Sequence, residues 1–278
     1  MPIGGNEDKG AETSESHTLD FVKKGILSRV VNESGGTDAH IIVVPTASSI
    51  PKEVGENYKS AFAKLGCTNM EILDIRETSQ AESEENLKKI SECNCVMFSG
   101  GDQSKISDII GGTSMHKILS ERYINDDFVI AGTSAGAMAM STEMISGGSS
   151  TESLLKDSVR MREGLGLIPG LIIDSHFITR GRFGRMAEAV AKHPSLVGVG
   201  LAEDTGLLIR GGERFTVIGS GMVIIFDPSS LSHNNVDLLD SGTPMTMANL
   251  NVHVLANSDT YNISTKVIEV LPIEADFE

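Results

Sequence analysis

The sequence has little of what marks several common classes of protein. Basic residues are few: 23 Lys and Arg stand against 38 Asp and Glu, for a formal net charge of −15. Such a chain repels nucleic-acid phosphates and anionic membranes, so neither is an expected partner. No apolar run approaches the roughly 18 residues of a membrane span, and the first five residues lack a basic, apolar leader. We expect a soluble cytoplasmic protein, unless a signal segment has been removed ahead of Gly4.

Cysteine is also scarce. The three cysteines are Cys67, Cys93 and Cys95, an odd number, and the last two are too close together for a usual zinc pair. Cys95 begins the apolar run Cys95–Phe98, where a thiol is typically a small buried hydrophobe. We therefore expect reduced thiols, and neither a metal site nor a cysteine nucleophile.

What is present is an alternation of short apolar runs with longer amphipathic stretches. The 278 residues, 40% of them hydrophobic, fit a single domain over residues 1–278. The alternation predicts the α/β class, a doubly wound, mainly parallel sheet with helices on both faces. The predicted strands are His40–Val44, Met70–Ile75, Cys95–Phe98, Phe128–Ala131, Leu171–Ile173 and Val197–Leu201. The predicted helices are Val54–Leu65, Glu84–Ser91, Ser104–Ile110, Ser114–Arg122 and Phe183–Lys192.

Beyond Leu201 the apolar runs lie closer together, with glycine-rich turns between them. This spacing predicts antiparallel strands, joined by hairpins, that follow the parallel core. They are Thr205–Ile209, Phe215–Ile218 and Met222–Phe226, with Asn251–Leu255 and Lys266–Val270 as two more. The polar segments Asn6–Ser16 and Ser146–Glu152 are predicted to be surface loops.

The pentapeptide Gly132-Thr133-Ser134-Ala135-Gly136 follows the predicted strand Phe128–Ala131 and opens a run of small residues and methionines, predicted as a buried helix. Ligands of open parallel sheets bind at the carboxyl ends of the strands, where this segment falls. A serine on such a strand-to-helix turn is typical of a nucleophile elbow. The pattern alone also arises by chance in glycine-rich turns. Its position is what makes Ser134 the expected nucleophile.

A serine nucleophile needs a base, and the base needs a group that orients it. Of the seven histidines, His176 stands immediately beyond a predicted strand end, so it is the expected base. A histidine at a strand end also commonly serves only to satisfy backbone groups. Glu203 and Asp204 both follow Val197–Leu201, and Asp174 precedes His176 by two residues. Spacing leaves these three carboxylates open as the third member.

The turn Gly100-Gly101-Asp102 follows the predicted strand Cys95–Phe98. Backbone N–H groups of Gly101 or Asp102, together with that of Ala135, would form an oxyanion hole. The same composition also suits an ordinary tight turn.

Three arginines, Arg180, Arg182 and Arg185, cluster directly after His176 in an otherwise acidic chain. A guanidinium fork binds carboxylates through two hydrogen bonds, so the cluster favours a substrate that bears carboxylates. Solvated arginines at the start of a helix are the simpler interpretation.

These motifs, in this order along most of the chain, resemble those of cyanophycinases, serine exopeptidases of the aspartyl-dipeptidase superfamily. The resemblance implies hydrolysis of β-aspartyl-arginine linkages of the polymer cyanophycin to β-Asp-Arg dipeptides, through an acyl-enzyme. The segments that carry it are Gly4–Lys9, Phe98–Gln103, Gly132–Ala137, Asp174–Phe177, Arg180–Arg185, Gly200–Thr205 and Asn251–Leu255.

The resemblance also implies a triad of Ser134, His176 and Glu203, a class I glutamine-amidotransferase-like fold, a homodimer, and no metal or other cofactor. Carried over in the same way, the substrate pocket is lined by Asp102, Gln103, Asp174, Ser175, Arg180, Arg182 and Arg185.

Two positions depart from the family pattern: Ser175 stands where members usually carry Gln, and Asn6 where they usually carry Ala. Loss of an amide that both donates and accepts hydrogen bonds puts the specificity in question. An α-aspartyl or isoaspartyl dipeptidase is the nearest alternative, and a catalytically silent paralogue that binds acidic peptides is another. An α/β-hydrolase esterase is disfavoured because that fold places its acid before its histidine in the chain.

Overall fold

The computed structural model describes residues 1–10, 19–148 and 154–271. None of the helices in these ranges is long and apolar enough to cross a membrane. The helices are α1 (Ile26–Glu33), α2 (Pro51–Lys64), α3 (Thr78–Ala81), α4 (Glu84–Glu92), α5 (Gln103–Ile110), α6 (Ser114–Asn125), α7 (Ala135–Met138) and α8 (Phe183–Lys192). The strands are β1 (Pro2–Ile3), β2 (Ile41–Val44), β3 (Met70–Ile72), β4 (Cys95–Phe98), β5 (Val129–Thr133), β6 (Glu143–Gly148), β7 (Val159–Glu163), β8 (Leu171–Asp174), β9 (Val197–Leu201), β10 (Thr205–Arg210), β11 (Arg214–Gly219), β12 (Val223–Asp227), β13 (His233–Asn234), β14 (Met247–Ala248), β15 (Asn251–Leu255), β16 (Thr260–Asn262) and β17 (Ile268–Glu269).

The largest sheet has nine strands in the order β17-β16-β11-β10-β1-β5-β4-β2-β3. Strands β1, β5, β4, β2 and β3 pair in parallel, and the remaining neighbours pair antiparallel. The chain is thus a mixed α/β protein, as predicted. The hairpin β10–β11 also follows the prediction, and its turn contains Gly211 and Gly212 at φ of 62° and 72°, a region that glycine enters at little cost.

Helices cover both faces of the parallel strands. This explains why the four residues of β2 are all apolar. Ile41 and Val43 pack in the same cluster as Tyr58 of α2, on one face of the sheet. Ile42 and Val44 pack with Ile106 of α5, on the other face. A strand buried on both sides needs apolar residues at every position rather than at alternate ones.

Two of the six strands predicted for the parallel core lie outside the large sheet. Strands β8 and β9 belong to a separate four-stranded sheet with the order β15-β12-β9-β8. Only residues 202–204 separate β9 from β10, so the chain passes from the small sheet to the large one within one turn. An apolar run records that a strand is buried, but it carries no information on which strand lies beside it.

Three further differences concern local elements. The predicted loop Ser146–Glu152 begins inside β6, which forms a hairpin with β7, and its residues 149–152 lie outside the described ranges. Residues 11–16 of the predicted loop Asn6–Ser16 lie outside them as well. The predicted buried helix after Ser134 is present as α7, but it spans only Ala135–Met138. Helix α1 was not predicted.

Candidate active site

Ser134 lies between the end of β5 and the start of α7, on a backbone with φ 50° and ψ −107°. Positive φ is rare for a residue with a side chain, and it turns the serine away from the strand direction. The flanking glycines are required by close contacts: a Cβ on Gly132 would lie 2.7 Å from the carbonyl carbon of Gly136, and one on Gly136 would lie 2.6 Å from the carbonyl oxygen of Phe98. The local geometry is that of the predicted strand-to-helix elbow.

His176 and Glu203 come together from the ends of β8 and β9, neighbours in the small sheet. Nδ1 of His176 lies 2.9 Å from Oε1 of Glu203, which also accepts a hydrogen bond from the Thr179 hydroxyl. Burial raises the pKa of Glu203, but the bonds from Thr179 and His176 outweigh it, so the pKa lies below its ordinary value. An ionised carboxylate only accepts, so Nδ1 carries the proton and Nε2 is free to receive another.

The other two carboxylates left open by the spacing have different partners. Asp204 accepts hydrogen bonds from the Ser220 hydroxyl at 2.6 Å and from the Asp8 backbone N–H at 3.1 Å. Asp174 is fully buried beneath two arginines. Of the three acids, Glu203 is the one placed on His176.

Ser134 is not hydrogen-bonded to His176. Among the described residues its hydroxyl has one partner, the Ser175 hydroxyl, with the two oxygens 3.3 Å apart. Ser175 is itself buried, and its hydroxyl also lies 3.4 Å from the Met138 sulfur. Catalytic hydrogen bonds are often long or misaligned before substrate binds. The structure brings His176 and Glu203 together and leaves Ser134 paired with Ser175.

Three consecutive residues near the N terminus connect the segments that carry Ser134, His176 and Glu203. The sequence patterns did not predict this role. We call Ile3, Gly4 and Gly5 the N-terminal bridge. The carbonyl of Ile3 accepts from the Ser134 N–H at 2.8 Å. That of Gly4 accepts from the His176 N–H at 2.8 Å, and that of Gly5 from the N–H of Asp204, next to Glu203, at 2.9 Å.

A signal for this bridge was present in the sequence. Two glycines in succession after an apolar residue indicate a place where other backbone comes close. A Cβ on Gly4 would lie 1.9 Å from the carbonyl oxygen of Ala202.

Of the three backbone N–H groups predicted to form the oxyanion hole, that of Asp102 is engaged elsewhere. The Asp102 N–H donates to the Ala47 carbonyl at 3.0 Å, so it is not available to an oxyanion, and the Asp102 carboxylate caps α5 through the Ser104 N–H. The turn itself does lie beside the serine, since a Cβ on Gly100 would be 3.4 Å from Ser134 Cβ. Ala135 is the first residue of α7, where an N–H has no acceptor within the helix.

Two of the three clustered arginines, Arg182 and Arg185, bind the Asp174 carboxylate rather than the predicted substrate carboxylate. Arg185 donates from Nε and Nη2 to the two carboxylate oxygens of Asp174, at 2.6 and 2.5 Å. Arg182 donates to Asp174 at 2.8 Å and to the Ser175 carbonyl at 2.6 Å. A buried carboxylate requires such charged donors. Asp174 and Arg185 are therefore internal, and Arg180 is the exposed member of the cluster.

Gln103 is also engaged within the protein. Its side-chain amide donates to the Ile145 carbonyl at 2.8 Å, which ties α5 to the β6–β7 hairpin. A cavity of about 830 Å³ lies elsewhere, at the beginning of β5 and the end of β10, lined by residues such as Phe128, Ile130 and Arg210. It lies at the amino end of β5, whereas Ser134 follows the carboxyl end of that strand.

Residues 11–217 of the sequence match the model of Peptidase family S51. The chain belongs to peptidase family S51. This S51 serine peptidase is 35% identical over 265 residues to the cyanophycinase of Geminocystis herdmanii, covering 95% of this chain and 93% of the relative. It is 36% identical over 270 residues to the cyanophycinase of a Nostoc species, covering 96% and 86%. The resemblance drawn from the motifs is confirmed.

The fold of this S51 peptidase is also found among solved structures. A peptidase from an acI-B1 Actinobacterium matches with a TM-score of 0.60 at 20% identity, covering 92% of this chain and 95% of that one. At that identity the match supports the fold alone.

Proposed function

We propose that this S51 peptidase is a cyanophycinase-type exopeptidase that releases β-Asp-Arg dipeptides through an acyl-enzyme on Ser134. The observation that carries the proposal is the His176–Glu203 pair at 2.9 Å, held by the N-terminal bridge against the Ser134 elbow. The relatives named cyanophycinase, similar over most of both chains, support the substrate class. The net charge of −15 favours approach of a polymer rich in guanidinium groups.

In the proposed mechanism the Ser134 side chain leaves Ser175 and donates to Nε2 of His176. Oγ then attacks a carbonyl of the substrate as His176 takes its proton, and Glu203 stabilises the resulting imidazolium. The N–H groups of Gly101 and Ala135 hold the oxyanion. His176 returns the proton to the leaving amine, and water, deprotonated by His176, releases the product acid.

The product determines which carbonyl is attacked. A dipeptide released as β-Asp-Arg keeps its β-aspartyl bond, so the bond that breaks must join one dipeptide unit to the next. We therefore place the attack on the carbonyl between units, rather than on the β-aspartyl carbonyl itself. Arg180, exposed near His176, is our proposed contact for a substrate carboxylate.

We further propose a single domain, a class I glutamine-amidotransferase-like arrangement and a homodimer. The five parallel strands with helices on both faces support the arrangement. Sedimentation equilibrium of the purified protein tests the dimer, and a monomer at micromolar concentration would contradict it.

The test of the nucleophile is Ser134→Ala, compared with Ser175→Ala. A serine-directed sulfonyl fluoride is expected to label the parent enzyme and Ser175→Ala at Ser134, as located by mass spectrometry. Ser134→Ala is expected to lose label and to lose about 10³-fold or more in turnover while still binding substrate. Label on Ser175, or an unlabelled parent enzyme, would overturn the assignment, and the second result would favour the silent paralogue.

The test of the substrate compares β-Asp-Arg polymer with β-Asp-Arg, α-Asp-Arg and β-Asp-Leu dipeptides. The proposal expects rapid release of β-Asp-Arg from the polymer and slow turnover of the dipeptides. Efficient cleavage of α-Asp-Arg alone would support an α-aspartyl dipeptidase, and efficient cleavage of β-Asp-Leu an isoaspartyl dipeptidase.

A further inference from the structure

Glu7 is a buried carboxylate close to the site that the mechanism above does not use. Its side chain is almost fully enclosed, 3% exposed for the residue as a whole. Oε2 accepts a hydrogen bond from the Thr133 hydroxyl at 2.5 Å, and Oε1 accepts from Lys9 Nζ at 2.7 Å and from the Tyr58 hydroxyl. Three side chains thus donate to this carboxylate, and each of its two oxygens accepts at least one hydrogen bond.

The positions of these partners relate Glu7 to both reacting side chains. Thr133 is the last residue of β5 and directly precedes Ser134. Glu7 itself lies two residues after Gly5, and a Cβ on Gly5 would be 2.4 Å from the His176 ring. One carboxylate therefore connects the strand that carries the nucleophile to the segment against which the base rests.

The network keeps Glu7 ionised. Burial by itself raises the pKa of this carboxyl, but the charge and hydrogen bond of Lys9 and the hydroxyls of Thr133 and Tyr58 bring the pKa below its ordinary value. Lys9 Nζ also lies over the Tyr58 ring, 4.9 Å from its centre. Hydrogen bonds to an ionised carboxylate are short and strong. The Glu7 carboxylate is therefore well suited to hold the neighbouring backbone in place.

We propose that Glu7 is a positioning residue for catalysis: through Thr133 and the N-terminal bridge it sets where Ser134 stands relative to the His176 ring. This inference rests on the proposed role of Ser134 as nucleophile. A shift of about 1 Å in such a pair is enough to cost about 100-fold in rate. Catalytic groups are held to such tolerances by the residues that support them.

A second buried carboxylate in the same protein provides a matched control. Glu188 of α8 is fully buried and accepts from the Ser158 hydroxyl at 2.5 Å, the Val159 N–H at 3.0 Å and Lys192 Nζ at 3.1 Å. Like Glu7, it accepts from a hydroxyl and from a lysine, but it ties α8 to β7 rather than to the site. Glu188→Gln therefore reports what loss of a buried, lysine-paired carboxylate does to stability alone.

The experiment measures kcat, KM, the rate of acylation by a sulfonyl fluoride, and the melting temperature. Glu7→Gln and Thr133→Val are expected to lower kcat and the acylation rate by about 10- to 100-fold, with KM changed less than about threefold. Thr133→Ser, which keeps the hydroxyl, is expected to restore most of both rates. Glu188→Gln is expected to lower the melting temperature without slowing acylation.

The outcomes separate this inference from the proposed function. Folded Thr133→Val with the parent acylation rate, or Glu188→Gln slowed as much as Glu7→Gln, would overturn the positioning role. Failure of the parent enzyme to be labelled at Ser134 would instead overturn the proposed nucleophile, and the inference with it.

Discussion

The imidazole ring of His176 lies directly against the Cα of Gly5. A methyl group on Gly5 would be 2.4 Å from Cε1 and 2.5 Å from Nε2 of His176, well inside van der Waals contact. The Gly5 carbonyl meanwhile accepts from the N–H of Asp204, so this glycine cannot move away without disturbing the residue next to Glu203. Gly5 thus limits where the His176 ring can lie.

Gly5→Ala is expected to displace the His176 ring and lower kcat by about 100-fold, with a smaller effect on KM. Gly35→Ala is the matched control, because Gly35 has a similar φ, 102° against 106°, but nothing within 4 Å of its Cβ position. Both variants carry the backbone strain of a positive φ, and only Gly5→Ala carries the clash. Steady-state kinetics that show equal losses in the two variants would contradict the role of Gly5.

Asp174→Ala is expected to reduce the free energy of unfolding by about 3–5 kcal/mol, because it leaves the buried Arg185 and the half-buried Arg182 without their carboxylate. Asp108→Ala, which breaks an exposed pair with Arg162, is expected to cost less than about 1 kcal/mol. Urea denaturation measures both values. If the Asp174→Ala enzyme kept full stability but had a raised KM, the result would instead support a role of Asp174 in substrate binding.

The stability of the protein is expected to fall at acidic pH. Burial raises the pKa of both Glu7 and Glu203, but their hydrogen-bond partners hold each below its ordinary value of 4.5. Above that value both carboxyls are ionised in the folded and unfolded states, and their stabilisation is fully present. As the pH falls below 4.5, these carboxyls bind protons in the unfolded chain before they do so in the folded protein. Stability is therefore lost until the pH falls below the pKa values of the folded protein.

Urea denaturation between about pH 5 and about pH 3 measures this loss, at most about 1.4 kcal/mol per pH unit for each carboxyl. Glu7→Gln is expected to be less stable than the parent enzyme at neutral pH and to show a shallower decline. An equal slope in the variant would mean that Glu7 does not contribute to acid sensitivity.

The three thiols are expected to be unreactive in the native enzyme. All three are buried, and burial raises the pKa of Cys93 to about 11 and that of Cys95 to about 12. Reaction requires the thiolate, and a thiol with a raised pKa forms little thiolate at about pH 8. Ellman's reagent is expected to leave activity unchanged and to titrate all three cysteines only after denaturation. Rapid loss of activity would indicate a thiol in the site.

Local pattern predicted the elements well where the driving force is local. β4, β9, β15 and α8 begin and end at the predicted residues, because a buried apolar run or an amphipathic stretch defines its own limits. The rule that sites lie at the carboxyl ends of strands selected Ser134 and His176 from many serines and seven histidines. The same rule also selected Asp102, whose backbone N–H donates to the Ala47 carbonyl inside the protein.

The sequence by itself determined the α/β class, the strand-to-helix elbow at Ser134, and the family through the order of its motifs. Residue spacing left Glu203, Asp204 and Asp174 open, and only the resemblance pointed to Glu203. The tertiary structure separated β8 and β9 from the large sheet and showed the Glu203 carboxylate in contact with His176. The reason is physical: a carboxylate is oriented by its donors, and the donors of Asp204 and Asp174 lie on other segments. The contact between Gly5 and His176 joins residues far apart in the chain, and no local pattern encodes such a distance.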